Sequence, residues 1–144
     1  MKTWLKILLA LFIVGLIALF LGYKFIYNKP HPDFENIKPA YSVVAADFYS
    51  AFKSNKTESG KKYNGQVVEL NGTLRKIETS DSTITVVFVF NQGMFGDEGI
   101  RCSLLKKYND DGKKLQSGTP VKVKGYCTGF NDTDVILEQC CIVK

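Results

Sequence analysis

The stretch YNGQVVELNGTLR, residues 63–75, decides the fold class because its hydrophobic period is two. Val68, Leu70 and Leu74 alternate with Glu69, Asn71, Thr73 and Arg75, which is the pattern of a strand with one buried face. Gly72 interrupts the run, and a glycine inside a strand marks a bulge or the tight bend that a curling sheet needs. Working toward the C-terminus, Thr83–Phe90 is a β-branched and aromatic run, apolar on both faces. Ile100, Cys102 and Leu104 form a third strand, Val121, Val123, Gly125 and Cys127 a fourth, and Val135–Val143 a fifth. The glycine-rich NQGMFGDEG (91–99) reads as a loop and YNDDGKKLQSGTP (108–120) as a longer connection. Five short strands separated by turns predict an all-β, five-stranded Greek-key barrel.

Working toward the N-terminus, residues 54–62 are polar and read as a loop. Val44, Phe48, Ala51 and Phe52 place an apolar stripe on a helix over Val43–Asn55, with Ser42 as its N-cap. This one helix is expected to pack on the barrel. Before it, NKPHPDFENIKP (28–39) carries three prolines, which block helix and favour extended backbone. The expected organisation is an anchor at 1–27, a proline-containing linker at 28–41 and a domain at 42–144. The single histidine, His31, lies in the linker and reads as a solvated residue.

The anchor reading rests on Ile7–Tyr23, 17 residues without a charge, extended by Trp4 and Leu5 on one side and Phe25–Tyr27 on the other. About 20 helical residues span a hydrocarbon core of about 30 Å. Trp4, Tyr23 and Tyr27 sit where amphipathic aromatics favour the headgroup region. The run is long for a cleaved signal peptide, and no small-x-small site precedes Tyr23. A single-pass signal anchor through residues 4–27 is therefore expected. Its tail is expected to be exported to the periplasmic side of a bacterial inner membrane.

The chain has net charge +5, yet Lys2, Lys6, Lys24 and Lys29 flank the apolar run, where no acidic residue lies. The remainder carries 15 basic and 14 acidic groups, a net charge of +1. Bulk electrostatics therefore gives no support to polyanion binding.

Tyr63-x-Gly65, Val68-x-Leu70-x-Gly72-x-Leu74, Cys102, Leu115-x-x-Gly118-x-x-Val121-x-Val123-x-Gly125-x-Cys127-x-Gly129 and Cys140-x-Ile142 together resemble the tRNA_anti-like OB-fold family. The likeness covers Ser42 to Lys144. It implies an OB-fold in an exported or membrane-attached bacterial domain, and its name records likeness to anticodon-binding domains rather than a ligand. The lysines at 56, 61 and 62 and the adjacent Cys140 and Cys141 depart from the pattern.

OB-folds use the face of their second and third strands and the flanking loops for oligonucleotides, oligosaccharides or proteins. Single-strand binding needs aromatics for stacking beside cations for phosphates. The candidates are Arg75, Phe90, Phe95, Arg101, Lys106, Lys107 and Tyr108, with Lys76 and Phe88 beside them. The alternative is that Phe88 and Phe90 face the core and the lysines are ordinary solvated surface. Phe95, beside Met94 in a glycine-rich loop, is the apolar residue most suspect of exposure.

The four cysteines fall on predicted strands. A hairpin centred between Thr133 and Asp134 would oppose Cys127 and Cys140, and Cys102 is a rival partner for Cys140. An exported domain makes one disulfide plausible. No CxxC spacing and no nearby histidine suggest a metal, and no cofactor motif is present. Asp110, Asp111, Asp132 and Asp134 sit in turns, where Asp is favoured for backbone reasons. The expectation is a non-enzymatic, membrane-anchored binding module for a protein or glycan of the envelope. A single-strand nucleic-acid binder and a structural subunit of an envelope complex are the alternatives.

Overall fold

The computed structural model describes residues 2–27 and 33–144, and the chain divides into two compact units, Met1–Pro32 and Asp33–Lys144. His31 and the first half of the proline-rich segment lie outside the described residues.

In the first unit, helix α1 (Thr3–Gly22) runs into a π-helical turn, Tyr23–Tyr27. The combined 25-residue stretch is long and apolar enough to cross a membrane by length and composition. None of its described residues is buried. A helix apolar on every side needs an apolar surrounding rather than one apolar neighbour.

The second unit is a seven-stranded mixed sheet, not the five-stranded barrel expected. Its strands are β1 (Tyr41–Val44), β2 (Val67–Thr73), β3 (Lys76–Ser80), β4 (Thr83–Gly93), β5 (Gly96–Leu104), β6 (Pro120–Phe130) and β7 (Val135–Val143). They lie in the order β1-β2-β6-β7-β5-β4-β3. The pairs β1–β2 and β5–β7 are parallel and the others antiparallel. Two features change the count. The first predicted strand breaks at Leu74–Arg75: the Leu74 N–H donates to Thr119, while the Arg75 N–H donates to Val87. The chain thus leaves β6 as β2 and joins β4 as β3 without a turn. Secondly, Tyr41–Val44 forms a parallel edge strand on β2. Ser42, expected as a helix cap, instead donates to Glu69 at 2.9 Å.

The single packing helix is also corrected. Helix α2 (Ala45–Ser54) is followed by α3 (Lys56–Tyr63), and α4 (Asn109–Lys114) lies between β5 and β6. Asn55 caps α3 by accepting the Glu58 N–H at 3.1 Å, so the polar stretch read as a loop is helical. Ala45, Phe48, Tyr49 and Phe52 bury the inner face of α2. Gly72 permits that contact: a Cβ there would stand 2.8 Å from the Ala45 Cβ and 3.0 Å from the Phe88 ring. Near the start of β4, Gly112 brings α4 against Leu104 and Ile84, where a Cβ would meet side-chain carbons at 2.6 and 3.0 Å. Between them lies a core including Val68, Leu70, Phe88, Val123 and Leu137.

The compact unit begins at Asp33, upstream of the Ser42 boundary read from sequence. The Phe34 ring lies 5.4 Å from that of Tyr126. Lys124 Nζ donates to the carbonyls of Glu35 at 2.6 Å and Ile37 at 3.0 Å. The Glu35 carboxylate bonds both Lys107 and Tyr108.

Candidate binding surface

The outer face of β3, β4 and β5 is built in register: Lys76, Val87 and Arg101 form one row, and Glu78, Thr85 and Ser103 the next. Lys76 Nζ lies 3.0 Å from Glu78 and 3.1 Å from Asp97. Arg101 pairs with Glu78 and, at 3.0 Å, with Asp134. The Asp134 carboxylate is buried and also accepts the Gly99 N–H at 3.0 Å. Three carboxylates thus meet two cations, and the long stems of those cations flank the buried Val87. Burial raises the Glu78 carboxyl, but the bond to Lys76 and the charges of Arg101 and Lys76 outweigh it and hold it below its ordinary range. The bond to Lys76 does the same for Asp97. Among the described residues, both cations of this ion lattice, Lys76 and Arg101, are paired.

The expected cationic set is therefore divided. Arg101 is held in the ion lattice, and Lys107 and Tyr108 are engaged by Glu35. Lys106 is exposed near them. Phe95 is 96% exposed, beside Met94 at 95%, at the tip of the β4–β5 hairpin. Residues 91–99 were expected as a loop, but β4 runs to Gly93 and β5 starts at Gly96. Both expected orientations of the aromatics occur: Phe88 is fully buried, whereas Phe90 is 39% exposed. The ladder shifts register between Val89 and Asn91, a bulge at Phe90.

Arg75 and Phe90 are the two predicted residues that the fold brings together. With Lys76, Val89, Asn91, Gln92 and Asp97 they line an open groove of about 740 Å³. It adjoins a cleft of about 310 Å³ whose walls include Val44, Gly72 and Leu74. Phe90 is stacked on Tyr49, with ring centroids 5.4 Å apart. Tyr49 is fixed in turn by donating to Glu98 at 3.2 Å, a carboxylate that also accepts from Lys53 at 2.9 Å and Asn91 at 3.0 Å. Those bonds, Lys53 first, lower the Glu98 carboxyl. The groove therefore offers a braced aromatic face, the exposed Arg75 and two side-chain amides. Val44, Asn91 and Gln92 carry no local signal for the groove, because the first lies in an apolar stripe that reads as helix and the other two in a glycine-rich stretch that reads as a loop.

The expected disulfide is not present: Cys102, Cys127, Cys140 and Cys141 are buried free thiols. Asn131 closes the β6–β7 turn by accepting the N–H groups of Thr133 and Asp134, at 3.1 and 2.7 Å. The turn is centred one residue earlier than expected. With the register shifts of β6–β7, Cys127 then faces Leu137, and Lys124 faces Cys141. Across β5–β7 the backbone of Cys140 is opposite Leu104, but its thiol is hydrogen-bonded to that of Cys102, the rival partner expected from sequence, with no covalent bond between the two sulfurs. Burial pushes the Cys127 thiol up to about 12 and raises Cys140 and Cys141 as well. Among the described residues, no group of three His, Cys, Asp or Glu is placed to hold a metal ion.

The sequence model of the tRNA_anti-like family matches residues 1–142. The chain belongs to that family. No curated protein matches it in sequence. Among solved structures, the tRNA_anti-like domain is similar to a candidate nucleic acid-binding lipoprotein from Klebsiella pneumoniae. That match has a TM-score of 0.54 at 16% identity, over 81% of this chain and 100% of the other. An asparaginyl-tRNA synthetase from Pyrococcus horikoshii gives 0.41 at 16% identity, over 58% of this chain and 20% of the synthetase. At such identity the first likeness shows the fold alone.

Proposed function

We propose that this tRNA_anti-like protein is a non-enzymatic binding module. In this reading α1 is a membrane anchor, and the OB-type domain presents the Arg75–Phe90 groove to a protein or glycan on the periplasmic side of a bacterial inner membrane. The observation that carries the reading is Phe90, an exposed ring braced from behind by Tyr49 and set beside the exposed Arg75. The groove's one carboxylate, Asp97, is paired with Lys76, and no nucleophile stands beside a base there.

The test is site-specific photo-crosslinking in native membranes, with the crosslinking residue placed at Gln92 of the full chain and, as a control, at Lys113. Adducts from Gln92 that disappear with Phe90→Ala support the module. Equal adducts from both positions, or none from Gln92, overturn it. Export is tested on a Gln92→Cys variant with an impermeant maleimide: modification only after the inner membrane is opened reverses the topology.

A single-strand nucleic-acid binder is the second reading, favoured by the same pairing of ring and guanidinium and by the description of the Klebsiella protein. The neutralised outer face weighs against it. A (dT)15 oligonucleotide bound at low salt, with affinity falling steeply as salt rises, would establish this reading in place of the first.

A further inference from the structure

The outer edge of β4 is covered by β3 only as far as Val87, which partners Lys76 and whose carbonyl accepts the Arg75 N–H at 3.1 Å. Strand β4 itself continues to Gly93. Backbone polar groups point alternately to the two sides of a strand, so those of Val89 face the same side as those of Val87. There, past the start of β3, no strand pairs with them among the described residues. An unpaired strand edge is a template for another strand, and a paired one satisfies groups that must otherwise find water.

This edge is also where the domain exposes its apolar side chains. Its described large apolar residues with high exposure are Ile37, Val44, Phe90, Met94 and Phe95. All but Ile37 lie on this flank: Val44 across the cleft at 52% exposure, Phe90 in the groove, and the other two at the hairpin tip. Arg75, exposed at the mouth of the groove, has no carboxylate partner among the described residues, unlike Lys76 beside it.

We propose that this edge binds an extended peptide segment of a partner protein, added as a strand beside Val89–Gln92. Alternate apolar side chains of the peptide rest on Phe90 and Val44, and an acidic side chain meets Arg75. The proposal rests on the binding-module reading and names the partner class for its groove. An oligonucleotide or a glycan would use the ring and the guanidinium but would leave the free backbone groups of Val89 without a strand partner.

The experiment uses the full chain in nanodiscs and a displayed library of random 12-residue peptides. Enriched peptides are expected to alternate apolar and polar residues and to carry Asp or Glu. Resynthesis with N-methyl groups on one alternating set of amides weakens binding about tenfold or more, the size of one or two lost hydrogen bonds, while the other set is tolerated. Arg75→Glu costs about tenfold, recovered by exchanging the peptide's acid for Lys. Tolerance of both methylation patterns overturns strand addition. So does a light-scattering dimer in which a second copy blocks the peptide. Binding of (dT)15 or of a peptidoglycan glycan strand without any enriched peptide overturns this inference and leaves the binding module standing. No binding by any of these probes ends both.

Discussion

Arg101 Nε and Asp134 Oδ2 meet at 3.0 Å on the sheet face that OB-folds commonly use for ligands. The same carboxylate holds the Gly99 N–H, so the pair ties the β6–β7 turn to β5 and takes the guanidinium out of contention for phosphate. The proposed recognition surface accordingly lies off the centre of the face, at the rim where Arg75 and Phe90 stand.

Replacing Asp134 by Ala leaves the Gly99 N–H and the Arg101 guanidinium without their shared acceptor. A loss of about 1–2 kcal/mol is expected, because the Gly99 N–H is left unpaired while Arg101, itself only partly buried, keeps Glu78. Urea unfolding of the full chain in detergent checks it. A change below about 0.5 kcal/mol would mean that the pair is solvated in solution.

Gly72→Ala and Gly112→Ala press a methyl into contacts of 2.8 Å and 2.6 Å respectively. Each is expected to cost about 1–3 kcal/mol by overpacking. Gly72 lies on β2 against α2, and Gly112 lies on α4 against Leu104 and Ile84, with no shared partner, so the double variant should lose about the sum. A melting temperature unchanged by either substitution would contradict the close approach of its helix.

Acid should weaken the domain. Lys107 and then Tyr108 hold the Glu35 carboxyl below its ordinary value of 4.5, and Lys76 and Lys53 act likewise on Asp97 and Glu98. A carboxyl with a lowered folded-state value contributes stability that is present above its ordinary value and lost as pH falls through the folded one. The urea midpoint should therefore drop between pH 5 and about pH 3, and Glu35→Gln should make the drop shallower. A Glu35→Gln profile superimposable on the parent would remove Glu35 from the account.

The thiols should be slow. Burial pushes the Cys127 thiol up to about 12 and raises those of Cys140 and Cys141, which favours the unreactive thiol form, and only the thiolate attacks. Native protein treated with a disulfide reagent should release little chromophore within minutes, and denatured, unreduced protein should report all four groups. Fewer than four would reveal a disulfide in the cellular protein.

Much of the sheet was legible because its residues report only their own period. The fifth predicted strand, Val135–Val143, has the bounds of β7, and the inward set of Val68, Leu70 and Leu74 is fully buried. Errors arose where two signals overlapped. Tyr41–Val44 and Ala45–Ser54 are both apolar enough to join one helical stripe, and only the pairing with β2 separates them. Asn55 and Glu58 did announce α3, but Gly60 and the lysines masked it. At the surface the limit was distance along the chain: Arg101 finds partners 23 and 33 residues away, and no local pattern says whether an arginine is engaged or free. Phe90 was identifiable as a candidate, but the bulge that sets it apart from Phe88 belongs to the pairing rather than to either strand.

The contacts around Glu35 have a mechanical meaning. Tension applied at Asp33 meets Phe34 on Tyr126, the Lys124 grip on two carbonyls, and the Lys107 and Tyr108 bonds before it reaches β1. These grips fasten to β6 and to the turn after β5, two separate parts of the sheet. The segment works as a cleat: a pull on its N-terminal end is shared between two anchorages, and the edge strand β1 is spared the strain.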